Sequence, residues 1–333
     1  MGSRCGSDED VRVIWVAPDG SGEYNNVQDA IDAVPLCNTQ RTVIHIAPGV
    51  YQQPIYVPKT KNLITLRGQR AECTILVWTN TATCIEHHQA SRVIGTGTFG
   101  CGTVIVEGED FIAEQITFEN ASLKGSGQAV AIRITADRCA FYGCRFLGWQ
   151  DTAYLHYGRH YFRDCYLEGS CDFIFGNATV FLEYCHIHCK SNGFITAQQR
   201  RSATESTGFV FLRCTITGIE SSSPYMYLGR PWAPYARVIF AYTWMDKCIK
   251  PAGWNNWNNP ENEKSAEFFE YRCSGPGSRL SERVNWAYQL GDAEAEPFLS
   301  THFIDTQQSW LTSNDLKRVP CIPIPLSSLP KKL

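Results

Sequence analysis

The chain has 333 residues, of which 44% are hydrophobic, 12% aromatic and 19% charged, with a formal net charge of −3. This apolar and aromatic content excludes a disordered chain, and the nearly balanced charge argues against nucleic acid as a partner, because nucleic-acid-binding proteins concentrate basic residues on one face. No apolar run approaches the roughly 20 residues of a membrane-spanning helix, so no membrane association is expected.

The first ten residues are polar and acidic, and the apolar stretch that follows, Val11–Ala17, is too short for the core of a secretory signal peptide. No signal peptide is therefore visible in the sequence. The first clear element is a short amphipathic helix, because apolar residues recur at intervals of three and four within Val27–Val34. Asn26 is a favourable N-cap residue for it, and Pro35 ends the pattern.

Beyond this helix the helical periodicity disappears, and short runs of β-forming residues alternate with turn residues. Six such runs precede residue 120: Thr42–Ile46, Ile55–Val57, Leu63–Leu66, Thr74–Trp78, Val104–Val106 and Phe111–Phe118. Their shortness, and the Gly and Pro residues between them, indicate an all-β protein.

A repeat follows, in which each cysteine is preceded by a short polar turn and followed by alternating apolar residues. The cysteines are 21, 20 and 29 residues apart, at Cys144, Cys165, Cys185 and Cys214. A period near 21 residues without helices is typical of a parallel β-helix, in which each coil buries its inner face by stacking on its neighbours. The cysteines should then form an interior column of free thiols, and the early helix should cap the open end of the solenoid.

The pattern continues into a Trp-rich segment, 243–276, which we interpret as a last coil with long loops. From residue 280 the pattern is lost, and a Pro-rich end is expected to pack along the outside. Since no linker is visible, we expect one β-helix domain over residues 12–312, with a flexible N-terminus, 1–11, and a C-terminal tail, 313–333.

Two carboxylic acids and two carboxamides recur at about one coil per step. Gln128, Gln150 and Asp172 follow each other at 22 residues, and Asp151 precedes Asp172 by 21. On stacked coils about 4.8 Å apart, these side chains should converge on one patch. Two adjacent carboxyls separate their pKa values, which supplies one anion and one acid, and amides can donate to an oxyanion. Alternatively, aspartates on such turns serve to bond local backbone.

Two further motifs invite a chemical interpretation. Arg230 could hold a carboxylate ionised, and Trp232 beside it could stack on a sugar, although an ordinary surface turn is the alternative. The segment Cys185–Cys189 reads Cys-His-Ile-His-Cys, but on a strand its cysteines and histidines point to opposite sides, so no metal site is expected. No P-loop and no Gly-x-Ser-x-Gly elbow is present, which disfavours a nucleotide enzyme and a serine hydrolase.

The same segments resemble the signature blocks of plant pectin methylesterases, or pectinesterases. The blocks are Gln128–Arg133, Gly148–Tyr154, Asp172–Ala178 and Leu228–Trp232, in the family's order and spacing over roughly residues 12 to 312. The resemblance implies a right-handed parallel β-helix and a cofactor-free, metal-free carboxylic-ester hydrolase. Such an enzyme removes methyl esters from homogalacturonan in cell-wall modification and pectin degradation. Gln53, Trp149 and Ala153 depart from the usual Glu, Tyr and Leu, so the shape of the cleft can differ.

The resemblance also implies a role for each member of the polar patch. Asp172 would be the nucleophile on the ester carbonyl. Asp151 would protonate the leaving methanol and then activate water for hydrolysis of the acyl-enzyme. Gln128 and Gln150 would stabilise the oxyanion, and Arg230 would orient Asp172.

Substrate contacts are implied for Thr98 and Trp232, in addition to Gln128 and Arg230. The implied partners are methyl-esterified homogalacturonan and a proteinaceous pectinesterase inhibitor, and the chain is expected to be a monomer. The family implies a location in the cell wall, with an intracellular role as the alternative because no signal peptide is visible.

The rival functions are another β-helix polysaccharide enzyme, a lyase or a glycosidase, and a non-catalytic polysaccharide-binding relative.

Overall fold

The structure, a computed structural model, describes residues 11–305 together with residues 310 and 311. The predicted tail, 313–333, and all but the last residue of the predicted flexible N-terminus, 1–11, lie outside the described residues. The domain limits therefore stay predictions.

Short parallel strands make up the body of the described chain. Their bounds are β1 Arg12–Val16, β2 Thr42–Ile46, β3 Gly49–Gln52, β4 Ile55–Val57, β5 Ile64–Gly68, β6 Thr74–Trp78, β7 Val104–Val106, β8 Ile112–Glu114, β9 Thr117–Asn120, β10 Ile132–Thr135, β11 Cys139–Tyr142, β12 Arg145–Leu147, β13 Ala153–Tyr157, β14 Arg159–Arg163, β15 Tyr166–Gly176, β16 Thr179–Glu183, β17 His186–Gln198, β18 Gly208–Leu212, β19 Thr215–Gly218, β20 Met226–Pro231, β21 Arg237–Ala241, β22 Trp244–Met245, β23 Glu267–Tyr271 and β24 Tyr288–Gln289.

Helices are few and short. The α-helices are α1 Val27–Asp32, α2 Ser91–Ile94, α3 Gly97–Gly100 and α4 Asp292–Ala295, and the 3-10 helices are Pro260–Lys264, Leu280–Glu282, Glu296–Phe298 and Thr301–Phe303. Within the described part of the chain, no helix is long and apolar enough to cross a membrane.

The strands stack into three faces. The first face runs β1–β2–β5–β8–β11–β14–β16–β18–β21–β23–β24. The second runs β3–β6–β9–β12, continues through the first halves of β15 and β17, and ends in β19 and β22. The third runs β4–β7–β10–β13, continues through the second halves of β15 and β17, and ends in β20. The chain is thus a parallel β-helix, as the repeat predicts.

From β8 onward, one residue in the left-handed backbone region forms each corner between the first and second faces. Asp164 (φ 53°), Tyr184 (φ 54°) and Arg213 (φ 52°) each directly precede a cysteine of the repeat. The four repeat cysteines turn inward and are buried, and all thirteen cysteines within residues 11–305 are free thiols. The predicted interior column of cysteines is confirmed.

The same corner corrects one predicted strand. The run Phe111–Phe118 is two strands, β8 and β9, because Gln115 adopts a φ of 55° and turns the chain from the first face to the second. Its apolar residues continue inward on both sides of the corner, so hydrophobic patterning alone did not reveal the break.

Other chain segments cover the N-terminal end of the described solenoid and part of its outer surface. At the N-terminal end, the Asn26 side chain accepts a hydrogen bond from the backbone N–H of Asp29 (2.9 Å), and Ile31 of α1 is fully buried. This confirms the predicted capping helix. Towards the C-terminus, Ile304 and Leu311 are buried against an apolar strip on the outer side of the first face.

Candidate active site

Two aspartates occupy matching corners of neighbouring coils where the second face meets the third. Asp151 (φ 64°) precedes β13, and Asp172 (φ 50°) lies within β15. The backbone N–H of Asp151 donates to the carbonyl of Cys171 (3.0 Å), beside a bridge between Gln150 and Cys171. This pairing sets the aspartates side by side. Aspartate tolerates the left-handed region better than most residues, so the sequence suits the corner.

The two carboxyl groups face a cleft of about 360 Å³. All seven site residues predicted from the sequence line this cleft: Asp151, Asp172, Gln128, Gln150, Arg230, Thr98 and Trp232. Residues separated by up to 134 positions in the chain are therefore gathered in one place by the stacking of coils.

Arg230 holds the Asp172 carboxylate through two contacts. Its Nε lies 2.9 Å from Oδ1 and its Nη2 lies 2.6 Å from Oδ2. The guanidinium also lies 3.6 Å from the ring centroid of Trp257 and 4.0 Å from that of Phe194. A planar bidentate pair flanked by aromatic rings fixes the direction in which the carboxylate points.

The two carboxyls are equally buried, and their neighbours separate their pKa values. Each aspartate is 7% exposed. Burial raises the pKa of Asp172, while the ion pair with Arg230 opposes that rise. The pKa of Asp151 is raised well above its ordinary value, first by burial and then by the neighbouring Asp172 charge, against smaller lowering effects of Arg230 and Gln150. Asp151 is therefore the group that keeps its proton to higher pH.

Aromatic side chains form the floor and one wall of the cleft. The Tyr154 and Phe175 rings stack 4.3 Å apart, and Trp232, 39% exposed, lies 5.9 Å from Phe175. Sequence reasoning missed Tyr154, Phe175 and Trp257 as lining residues. The first two had a signal, since they are 21 residues apart and pair in register.

A buried arginine supports the wall that carries Thr98. Phe99 follows Thr98 in α3, and the fully buried Arg133 guanidinium lies 3.7 Å from the centre of its ring. The same guanidinium donates to the carbonyl of Ile94 (3.1 Å) and to Glu107 Oε1 (3.1 Å). Arg133 thus ties the α2–α3 segment to the solenoid beside the cleft.

The Cys-His-Ile-His-Cys segment adopts the alternation predicted for a strand. Cys185 and Cys189 are buried in the core, while His186 and His188 both contact Thr217 Oγ1 at 2.7 and 2.8 Å. Within the residues that the structure describes, no group of three or more His, Cys, Asp or Glu side chains is arranged to hold a metal ion.

Comparisons with known proteins agree with this geometry. The model of the pectinesterase family matches residues 13–307. The chain is 67% identical over 302 residues to pectinesterase 31 of Arabidopsis thaliana, across 90% of this chain and 95% of that protein. The chain belongs to the pectinesterase family. This pectinesterase is therefore a carboxylic-ester hydrolase, and the lyase, glycosidase and non-catalytic alternatives are set aside.

Solved structures of other family members share the fold. The pectin methylesterase from carrot superposes on this pectinesterase with a TM-score of 0.81 at 34% identity, over 91% of this chain and 95% of that one. The pectin methylesterase from Aspergillus niger gives a TM-score of 0.77 at 28% identity, over 93% and 97% of the two chains. The parallel β-helix predicted from the repeat is thus the fold of the family.

Proposed function

We propose that this pectinesterase hydrolyses the methyl esters of homogalacturonan through a covalent intermediate on Asp172. The observation that carries the proposal is the contrast between the two carboxyls. Arg230 pairs with Asp172 through both carboxylate oxygens, while Asp151 beside it has a pKa raised well above its ordinary value. One carboxyl is thereby prepared to attack and the other to donate a proton.

In the first half of the reaction, a carboxylate oxygen of Asp172 attacks the ester carbonyl carbon. The negative charge that develops on the carbonyl oxygen accepts hydrogen bonds from the side-chain amides of Gln128 and Gln150, which line the same cleft. When the tetrahedral intermediate collapses, the bond to the methoxy oxygen breaks and Asp151 supplies the proton that makes it methanol. The galacturonyl group is left on Asp172 as an anhydride.

In the second half, Asp151 is a carboxylate and can act as a base. It removes a proton from water, whose oxygen attacks the galacturonyl carbonyl of the anhydride, again with the oxyanion facing Gln128 and Gln150. Collapse releases the Asp172 carboxylate and a galacturonic acid group, which then ionises. Asp151 regains the proton that it gave to methanol, so the cycle closes on one ester and one water.

The walls of the cleft suit a sugar polymer. Trp232 presents a partly exposed ring to the cleft, and Thr98 and Tyr154 add hydroxyl groups beside it. Because plant pectinesterases generally act in the cell wall, we place the activity of this chain there, in pectin modification. A proteinaceous inhibitor would act by covering this cleft.

The test is methanol release from methylated pectin by Asp172→Asn. We expect kcat to fall by at least about 10³-fold, since an amide cannot form the covalent intermediate. An unchanged circular dichroism spectrum and thermal midpoint would show that the fold is intact. Activity near that of the wild type in a folded Asp172→Asn protein would refute the assignment.

A further inference from the structure

A second groove, of about 390 Å³, lies beside the catalytic corner. Trp149, which directly precedes Gln150, forms part of its lining. Lys124 forms another part and belongs to the segment 121–127, which leads directly into Gln128. Both contributing segments are thus continuous with residues that line the catalytic cleft.

Two lysines flank the indole ring of Trp149 but differ in their partners. Lys190 Nζ lies 4.0 Å from the ring centroid, 2.7 Å from Glu168 Oε1 and 3.0 Å from the carbonyl oxygen of Gly148. Lys124 Nζ lies 5.2 Å from the same centroid and is exposed, and it has no ion-pair partner among the residues that the structure describes. Lys190 is therefore neutralised in place, whereas Lys124 is an available cation above an aromatic surface.

Neither of the two glutamates that line the groove, Glu119 and Glu168, forms an ion pair with Lys124. Glu168 is already paired with Lys190. Burial, together with the Glu168 charge, raises the pKa of Glu119, so this carboxyl takes up a proton more readily than an exposed glutamate.

We propose that this groove binds an unesterified galacturonate residue of the same polymer whose methyl ester is hydrolysed in the cleft. Its carboxylate would pair with Lys124, and its C–H face would pack on Trp149. For its substrate class the proposal rests on the proposed function. Its consequence is a preference for chains that already carry free carboxylates, which are the products of earlier turnovers.

The test compares Lys124→Gln with the wild type on two polymers of equal length, one fully methylated and one about half methylated. At low ionic strength we expect KM on the half-methylated polymer to rise about two- to fivefold, the range of one exposed ion pair. KM on the fully methylated polymer should not change, because it offers no carboxylate. Since the interaction is uniform binding, kcat should stay the same, and about 0.5 M salt should remove the difference.

Two further variants complete the test. Lys59→Gln removes an exposed lysine that lines neither the cleft nor the groove, and it should leave KM unchanged on both polymers. Trp149→Leu should raise KM on both polymers, because packing on the indole does not require a carboxylate.

The subsite would be refuted if Lys124→Gln left KM unchanged on the half-methylated polymer at low salt. It would equally be refuted if KM rose by the same factor on both polymers, or if Trp149→Leu had no effect on KM. These measurements use the active enzyme and concern KM, so they hold whichever carboxylate attacks the ester. A failure here is therefore distinct from a failure of the Asp172 assignment.

Discussion

Two aspartates of this solenoid have the same backbone conformation and similar burial, but their neighbouring side chains differ. Asp164 and Asp172 have φ values of 53° and 50° and are 8% and 7% exposed. Burial raises the pKa of both. Each has an arginine partner, although Arg163 Nε is 3.4 Å from Asp164, whereas Arg230 makes two contacts of 2.9 and 2.6 Å with Asp172.

The two sites differ in the residues that the neighbouring coils place beside the aspartate. At the Asp164 corner, the register places Gly143 on one neighbouring coil and Tyr184 on the other. At the Asp172 corner, the neighbouring coil supplies Asp151, and the corner opens into the cleft. A left-handed φ, burial and a raised pKa thus also occur at a corner outside the cleft. The proposed chemistry also requires the second carboxyl and the amide side chains that line the cleft at the Asp172 corner.

Exchanging the acid at each corner is the strongest way to test that contrast. We expect Asp151→Asn to lower kcat for methanol release by about 10²- to 10⁴-fold, because the leaving methoxide and the attacking water both lose their proton-transfer partner. Asp164→Asn is the matched control and should keep kcat within about twofold. Steady-state methanol release at the wild-type pH optimum measures both.

The two results are informative together. A similar loss of kcat in both variants would mean that burial and fold integrity, rather than the pairing of two carboxyls, govern activity. Wild-type kcat in Asp151→Asn would remove Asp151 from the chemistry.

The arginine partners provide a second contrast with a smaller effect. Arg230→Gln should lower kcat/KM by about 10- to 100-fold, because the carboxylate loses its orientation and its charge partner. The Arg230 cation lowers the pKa of Asp172, so its removal raises that pKa and moves the acidic limb of the pH–rate profile to higher pH. Arg163→Gln, which changes the partner of Asp164, should leave the acidic limb in place. If the acidic limb did not move in Arg230→Gln, the ionisation that this limb reports would not be that of Asp172.

Much of the fold could be predicted because a solenoid repeats one local rule. The spacing of Cys144, Cys165 and Cys185 reveals the coil length, and strands such as Thr42–Ile46 have the bounds that the sequence indicates. The break at Gln115 could not be predicted, since the corner needs one residue with a positive φ and the chain uses Gln, Arg, Tyr and Asp there rather than glycine alone.

The candidate site likewise contains residues that could be predicted from the sequence and residues that could not. Gln128, Gln150 and Asp172 could be predicted to line one cleft because each lies about one coil from the next, although the register pairs Gln150 with Cys171 and so offsets it from Asp172 by one residue. Trp257 could not, because it reaches the guanidinium of Arg230 from a long irregular segment whose path no periodicity describes. Contacts that depend on the path of a loop, rather than on the coil length, could not be predicted from the spacing of residues in the sequence.

The smallest expected effect concerns the contribution of Asp164, which lies outside the cleft, to the stability of the fold. Burial raises the pKa of Asp164 from 3.8 to about 6 in the folded chain. Between these values the folded state binds more protons than the unfolded state, so the free energy of unfolding falls as pH rises through this window. Asp164→Asn cannot ionise, so its stability relative to the wild type should increase from pH 4 to pH 7, by about 1 to 2 kcal/mol after allowance for solvent screening. Urea unfolding at the two pH values measures this change, and a stability difference that is the same at both would show that Asp164 titrates alike in the folded and unfolded chains.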